Sequence, residues 1–153
     1  PSLKGMSRRE SLIHVSENVM KPQHGKGYYG KRAAENMKDG VDYSFSDSGF
    51  VEEVEQIINK FGMDEIIFIR LYRDDCDYSS DSRRYIRFNN LVKEMVCDHK
   101  TDISKFEDQF FPEVVDIDGY VVHNNGSKVD LYQTITDIVK AHNDRKNAVK
   151  IGF

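Results

Sequence analysis

The feature that most limits the fold is the run from Glu65 to Tyr72, E-I-I-F-I-R-L-Y, which is apolar almost throughout. A strand with one face in water alternates apolar and polar residues. A near-continuous apolar run therefore predicts a strand covered on both faces, as in a parallel sheet. Parallel neighbours need long crossover connections, usually helices. The segments around this run fit that demand. Val41 to Phe45 alternates and predicts a strand, and from Phe50 the residues Val51, Val54, Ile57, Ile58 and Phe61 recur at helical spacing up to Gly62. Strand, helix and strand within about thirty residues predict a βαβ unit. Tyr120-Val121-Val122-His123 predicts a third strand. Ser127 then caps a helix that carries Leu131, Ile135, Ile138 and Val139 on one face. The expected class is α/β, a mainly parallel sheet with flanking helices.

With 153 residues, the chain reads as a single domain, 1–153. Within it, 1–40 is a helical segment, 41–85 carries the strand–helix–strand run and a lid, and 86–153 carries C-terminal helices and a strand. Ser7 with Glu10 three residues on predicts a capping box, followed by Leu12, Ile13, Val15 and Val19 at near-helical spacing until Pro22 ends the run. A second short helix is expected over Lys31–Met37. Helix is also expected over Ile86–Cys97, a short one fits within Thr101–Pro112, and the basic tail from His142 reads as frayed.

Net charge excludes some partners. At a formal −4 the chain lacks the basic excess of a nucleic-acid module, so nucleic acid is an unlikely partner. Arginines do cluster locally, as Arg8-Arg9 and Arg83-Arg84-Arg87, which suits a small anionic ligand. No apolar run approaches the roughly 18 residues of a membrane span, and no signal-peptide pattern opens the chain. Cys76 and Cys97 stand far apart, which favours free thiols in a reducing cytoplasm. The first residue is Pro1 rather than Met, which points to processing or to an incomplete start.

Three constellations could carry chemistry. Ser46-Asp47-Ser48-Gly49-Phe50 stands where a predicted strand meets a predicted helix. An Asp at such a strand end can hold Mg²⁺, and the helix start can accept phosphate oxygens. Its ordinary reading is a helix cap followed by a turn. Arg70 and Arg73 flank the exit of the strand at 65–72, and Asp81-Ser82-Arg83-Arg84 follows after a polar, acidic loop. Phosphoryl transfer needs cations around the transferring group and water kept out, and arginines on a closing lid supply both. Surface ion pairs with Asp74, Asp75 and Asp77 are the plainer account. Arg8 and Arg9 at a helix start ask for an anion, or point to water at small cost.

Other patterns say less. The five histidines show no metal-ligand spacing. Gly25 to Lys31 matches G-x-x-x-x-G-K, but Arg32 replaces the Ser or Thr of a phosphate loop and no strand precedes it. Asp47, Glu52 and Glu53 could be nuclease-like metal ligands, but adjacent helical residues point apart, and Glu53 reads as a solvated face.

Taken in order, S-R-R-E-S-L-I-H-V-S-E, G-K-G-Y-Y-G-K-R-A-A-E, S-D-S-G-F-V-E-E-V-E, I-R-L-Y-R, D-S-R-R-Y-I and H-N-N-G-S resemble the phage-encoded P-loop nucleotide kinases of the deoxynucleoside monophosphate kinase type. The resemblance spans nearly the whole chain. It implies a kinase-like core in which Arg9 meets the monophosphate, with Arg70, Arg73 and Asn124 also on the substrate side and Asn124 near the base. It further implies that Asp47 lies near Mg²⁺ and that Arg83 and Arg84 serve as catalytic lid arginines. The family's phosphate loop, which holds ATP, is not in these residues. Transfer from ATP is therefore expected only if that segment is supplied. The alternative is a non-catalytic phage accessory protein, acting in host cytoplasm, that binds a host protein or a nucleotide signal.

Overall fold

The computed structural model describes residues 5–46, 50–76, 85–88, 92–104, 110–115 and 119–151. They divide into two units, Pro1–Gly62 and Met63–Phe153.

The first unit is helical. Helix α1, Arg8–His14, opens on the expected capping box: the Ser7 hydroxyl accepts the Glu10 N–H at 3.2 Å, and the Ser7 N–H donates to the Glu10 carboxylate at 2.7 Å. The helix does not stop at Pro22. It continues through a π-helical turn, Val15–Met20, into α2, Lys21–His24, with Pro22 in the first turn of α2. A proline ring crowds the turn before it, and the wider π turn makes room. The stop comes instead at Gly25, where φ is +92°.

Helices α3, Tyr28–Asn36, and α4, Val51–Phe61, pack on each other. Glycine makes the approach possible. A Cβ at Gly30 would lie 2.0 Å from the carbonyl oxygen of Glu53, and one at Gly27 2.8 Å from that of Glu52. The G-x-x-x-x-G-K match is thus a turn plus a helix-packing site, in the helix–loop–helix context that argued against a phosphate loop. The Lys60 ammonium donates to the carbonyls of Ala34 at 2.5 Å and Met37 at 2.8 Å, closing the end of α3.

Lys21 is buried between Glu17 at 2.9 Å and Glu53 at 3.2 Å, with its ammonium 3.6 Å from the centre of the Phe50 ring. Burial pulls its pKa down, but the two carboxylates outweigh that and hold it above the usual lysine value. Glu53, expected on a solvated face, is instead part of this buried pair.

The strand expected at 41–46 is absent. Val41, Tyr43 and Phe45 alternate but join no ladder, and all three are exposed. The βαβ unit therefore lacks its first strand. Phe50, with no side-chain cap, occupies the position before α4.

The second unit carries the parallel sheet. Strands β1, Phe68–Tyr72, β3, Val92–Cys97, and β5, Gly119–Asn124, lie in the order β1-β5-β3, both ladders parallel. Two further strands, β2, Tyr85–Phe88, and β4, Phe110–Val115, form a separate parallel pair. The helix expected over 86–97 is thus strand on both sides of 89–91. The short helix allowed within 101–112 reduces, among the described residues, to a single 3₁₀ turn at 103–104 followed by the start of β4.

Because β5 is central, Gly119 through His123 are all buried. The ladder register sorts its residues by face. Tyr120 and Val122 share a face with Ile69 and Met95, and helix α5, Lys128–Ile151, covers it with Leu131, Ile135 and Ile138. Val139, expected on that face, is exposed. Residues 142–151, expected to fray, form the end of α5. The architecture is α/β, with helices and a small open parallel sheet. Among the described residues no helix is long and apolar enough to cross a membrane.

Candidate functional site

Three parallel strands end on one edge, and in open α/β sheets ligands bind outside the carboxyl ends. Here that edge is built from the residues after β1, β3 and β5: Arg73-Asp74, Asp98 to Thr101, and Asn125 to Ser127. Asn125 ties all three together. Its Oδ1 accepts the Asp74 N–H at 3.0 Å, and its Nδ2 donates to the His99 carbonyl at 3.0 Å and to the Thr101 hydroxyl at 2.9 Å.

His99 makes a second tie. Its Nε2 meets Asp74 at 2.9 Å and its Nδ1 meets Asp98 at 2.9 Å. Two carboxylates on opposite ring nitrogens favour the imidazolium, since a neutral ring has one N–H and would turn a lone pair toward the other carboxylate. Asp98 and then Asp74 hold the His99 pKa above the usual histidine value. Asp98 adopts a φ of 77°, the left-handed region that Asp tolerates better than most residues. Because the carboxylates lie on opposite sides of the ring, they share no point where a cation could sit. Among the described residues no group of three His, Cys, Asp or Glu converges as a metal site.

The start of α5 is already satisfied. The Asp130 carboxylate accepts from the Ser127 N–H at 2.8 Å and the Ser127 hydroxyl at 2.7 Å, and the Asp130 N–H returns a bond to that hydroxyl at 3.3 Å. These bonds hold the Asp130 carboxyl below its usual range. The helix thus carries its own anion where a phosphate would sit. Gly126 packs closely beside it: a Cβ there would lie 2.9 Å from Asp130 Oδ2, so the capping carboxylate would have to shift.

Arg73 adds positive charge at the edge beside His99 and Lys100, and its Nη1 donates to the Asn124 carbonyl at 3.4 Å. Arg70, on β1, donates to the Tyr72 hydroxyl at 3.4 Å. These three expected residues, Arg70, Arg73 and Asn124, therefore stand near the carboxyl edge of one sheet, although Asn124 contributes its backbone oxygen. Arg9 is exposed on α1, in the first unit. Asp47, Arg83 and Arg84 lie outside the described residues. Glu52 and Glu53, weighed as metal ligands, are instead paired with Lys26 at 3.2 Å and with Lys21.

Below the edge lies His123. It is 2% exposed, its ring stacks on Tyr72 with centroids 6.1 Å apart, and its Nδ1 accepts the Thr101 N–H at 3.1 Å. Cys97, also buried, ends β3 with its Sγ 3.2 Å from the Thr134 hydroxyl, and both Cys76 and Cys97 are free thiols.

Asp98, His99, Asn125 and His123 were not singled out from the sequence. The signal was there for two of them: with 92–97 taken as strand, Asp98-His99 falls at its carboxyl end. Comparison with family models, with curated proteins and with solved structures found no match.

Proposed function

We propose that the second unit binds a small anionic ligand of the nucleoside monophosphate class at the carboxyl edge of its parallel sheet. The observation that carries this reading is the pairing of Arg73 with the end of β5, beside three loops cross-linked by Asn125. Loops braced in this way present a guanidinium without first having to order it, which lowers the cost of binding. The resemblance of the ordered motifs to those of monophosphate kinases supports the same ligand class. In that reading Arg70 and Arg73 meet phosphate oxygens. Phosphoryl transfer from ATP with Mg²⁺ at Asp47 belongs to the proposal only if a phosphate-cradling segment is supplied, since Gly25 to Gly30 serve a turn and helix packing.

Calorimetry with the common nucleoside monophosphates tests it. We expect weak binding and a raised melting temperature. Replacing Arg73 by Ala should weaken binding about 10- to 100-fold, the scale of one charge-assisted hydrogen bond. Replacing Lys38 by Ala should leave it intact. No heat and no melting shift with any monophosphate would overturn the reading in favour of an accessory protein that binds a host partner.

A further inference from the structure

His123 holds an unanswered donor. Thr101 donates its N–H to Nδ1, so the neutral ring carries its proton on Nε2. That nitrogen is fully shielded and has no hydrogen-bond partner. Buried polar groups are nearly always paired, because an unpaired one forfeits its hydration without return. Among the described residues two other shielded atoms share this state, the Tyr120 hydroxyl and Nε2 of His14. Their settings differ. Tyr120 lies at the amino end of β5 on the face covered by α5, and His14 is only partly buried in the first unit. His123 is near the carboxyl end of the central strand, and the register places it level with Tyr72 on β1 and Val96 on β3. It shares its face with Arg70 and Tyr72, opposite α5.

We propose that the Nε2–H of His123 is a ligand-binding donor, completed by a phosphate oxygen that comes in from the carboxyl edge, on the face shared with Arg70 and Tyr72, when the groups that shield the nitrogen give way. This rests on the reading of that edge as an anion site and names a donor inside it. The main chain sets its direction: the Thr101 N–H fixes the tautomer, and stacking on Tyr72 fixes the ring plane.

Nitrogen-15 NMR of the histidine rings in the whole chain, with calorimetry, tests it. The ring of His123 should show the Nε2–H tautomer without ligand. Its Hε2 resonance should move on adding either inorganic phosphate or a deoxynucleoside monophosphate, and stay still with the unphosphorylated deoxynucleoside. His123→Asn keeps an acceptor for Thr101 and loses the deep donor, so it should weaken monophosphate binding about 10-fold or more. An Nδ1–H tautomer overturns the assignment on wild-type protein alone, whatever the variant does. Undiminished binding by a folded His123→Asn overturns it while leaving the anion site standing. Response to the monophosphate but not to inorganic phosphate or the deoxynucleoside still supports a phosphate contact, and means that the base is needed for entry. Absence of all binding by the wild type removes both the site and its donor.

Discussion

The two units bury their interiors by opposite means. In the first, α3 and α4 meet backbone to backbone because Gly27 and Gly30 have no side chain, and a lysine is held inside by Glu17 and Glu53. In the second, five successive buried residues on β5 are covered on one face by a long helix. One interior depends on atoms being absent, the other on atoms being present. Adding a methyl group should therefore injure the first, and removing methyl groups should injure the second.

The largest effect is expected in the second unit. Ile138 is 1% exposed and packs against Cys97, Tyr120 and Val122, so Ile138→Ala should cost about 3 kcal/mol. Urea unfolding, with amide exchange followed in β5, measures it. A cost under about 1 kcal/mol would mean that this interior is loose enough to collapse around the loss. Next comes Gly30→Ala. Glycine to alanine in a helix ordinarily stabilises by about 0.5–1 kcal/mol. Here the added Cβ would strike the Glu53 carbonyl, so we expect a loss of about 2–3 kcal/mol, as for overpacking. The sign alone decides the matter, read from the urea midpoint and from protection in α3 and α4.

The smallest effect depends on pH. The folded-state pKa of His99 is raised by Asp98 and Asp74, so its contribution is fully present below the ordinary imidazole value near 6.5 and lost as pH rises through the raised value. His142 works in the other direction. Burial first, then Arg145 and Lys146, pull its pKa down, so its contribution is lost as pH falls. The difference between wild type and His99→Asn isolates the first of these. The variant should lose stability on the acid side and match wild type in base, as read by urea midpoints between about pH 5.5 and 8.5. An identical profile for the two proteins would show that the Asp74–His99–Asp98 tie does not form in solution.

What could be read from the sequence follows the same division. Strand β1 was legible from the apolar run at 65–72, although it begins only at Phe68. As an edge strand with Leu71 exposed, it is not covered on both faces as that run implied. Strand β5 was legible because Tyr120-Val121-Val122 stands between turn residues. Strand β3 was not. As an edge strand it exposes Val92, Lys93, Glu94 and Val96, so its pattern carries little of the period that marks a strand. The converse error fell at 41–46, where alternation is present and no neighbour pairs with it. Alternation reports a strand only when one face is buried, and Val41, Tyr43 and Phe45 are exposed. At the carboxyl edge, the positions of Arg73 and Asn124 could be read because they lie at the ends of readable strands. His99 was hidden because 92–97 was read as helix and Asp74 lies 25 residues away, and His123 because its partner Thr101 lies 22 residues away in the chain.

The strand order has a consequence for how the chain comes off the ribosome. Strands β1 and β3 each pair with β5 and not with each other. The strand that completes both ladders is thus the last of the three to be made. Until about residue 124 has left the exit tunnel, no ladder of this sheet can close, and α5 has no completed face to cover. The earlier strands must wait as open chain, Ile66 to Leu71 among them, with apolar groups in reach of other nascent chains. Helices α1 to α4, whose bonds are local, face no such delay. Assembly of the sheet is therefore a late, nearly all-at-once event, and holdase chaperones should find their target in β1 rather than in the helices before it.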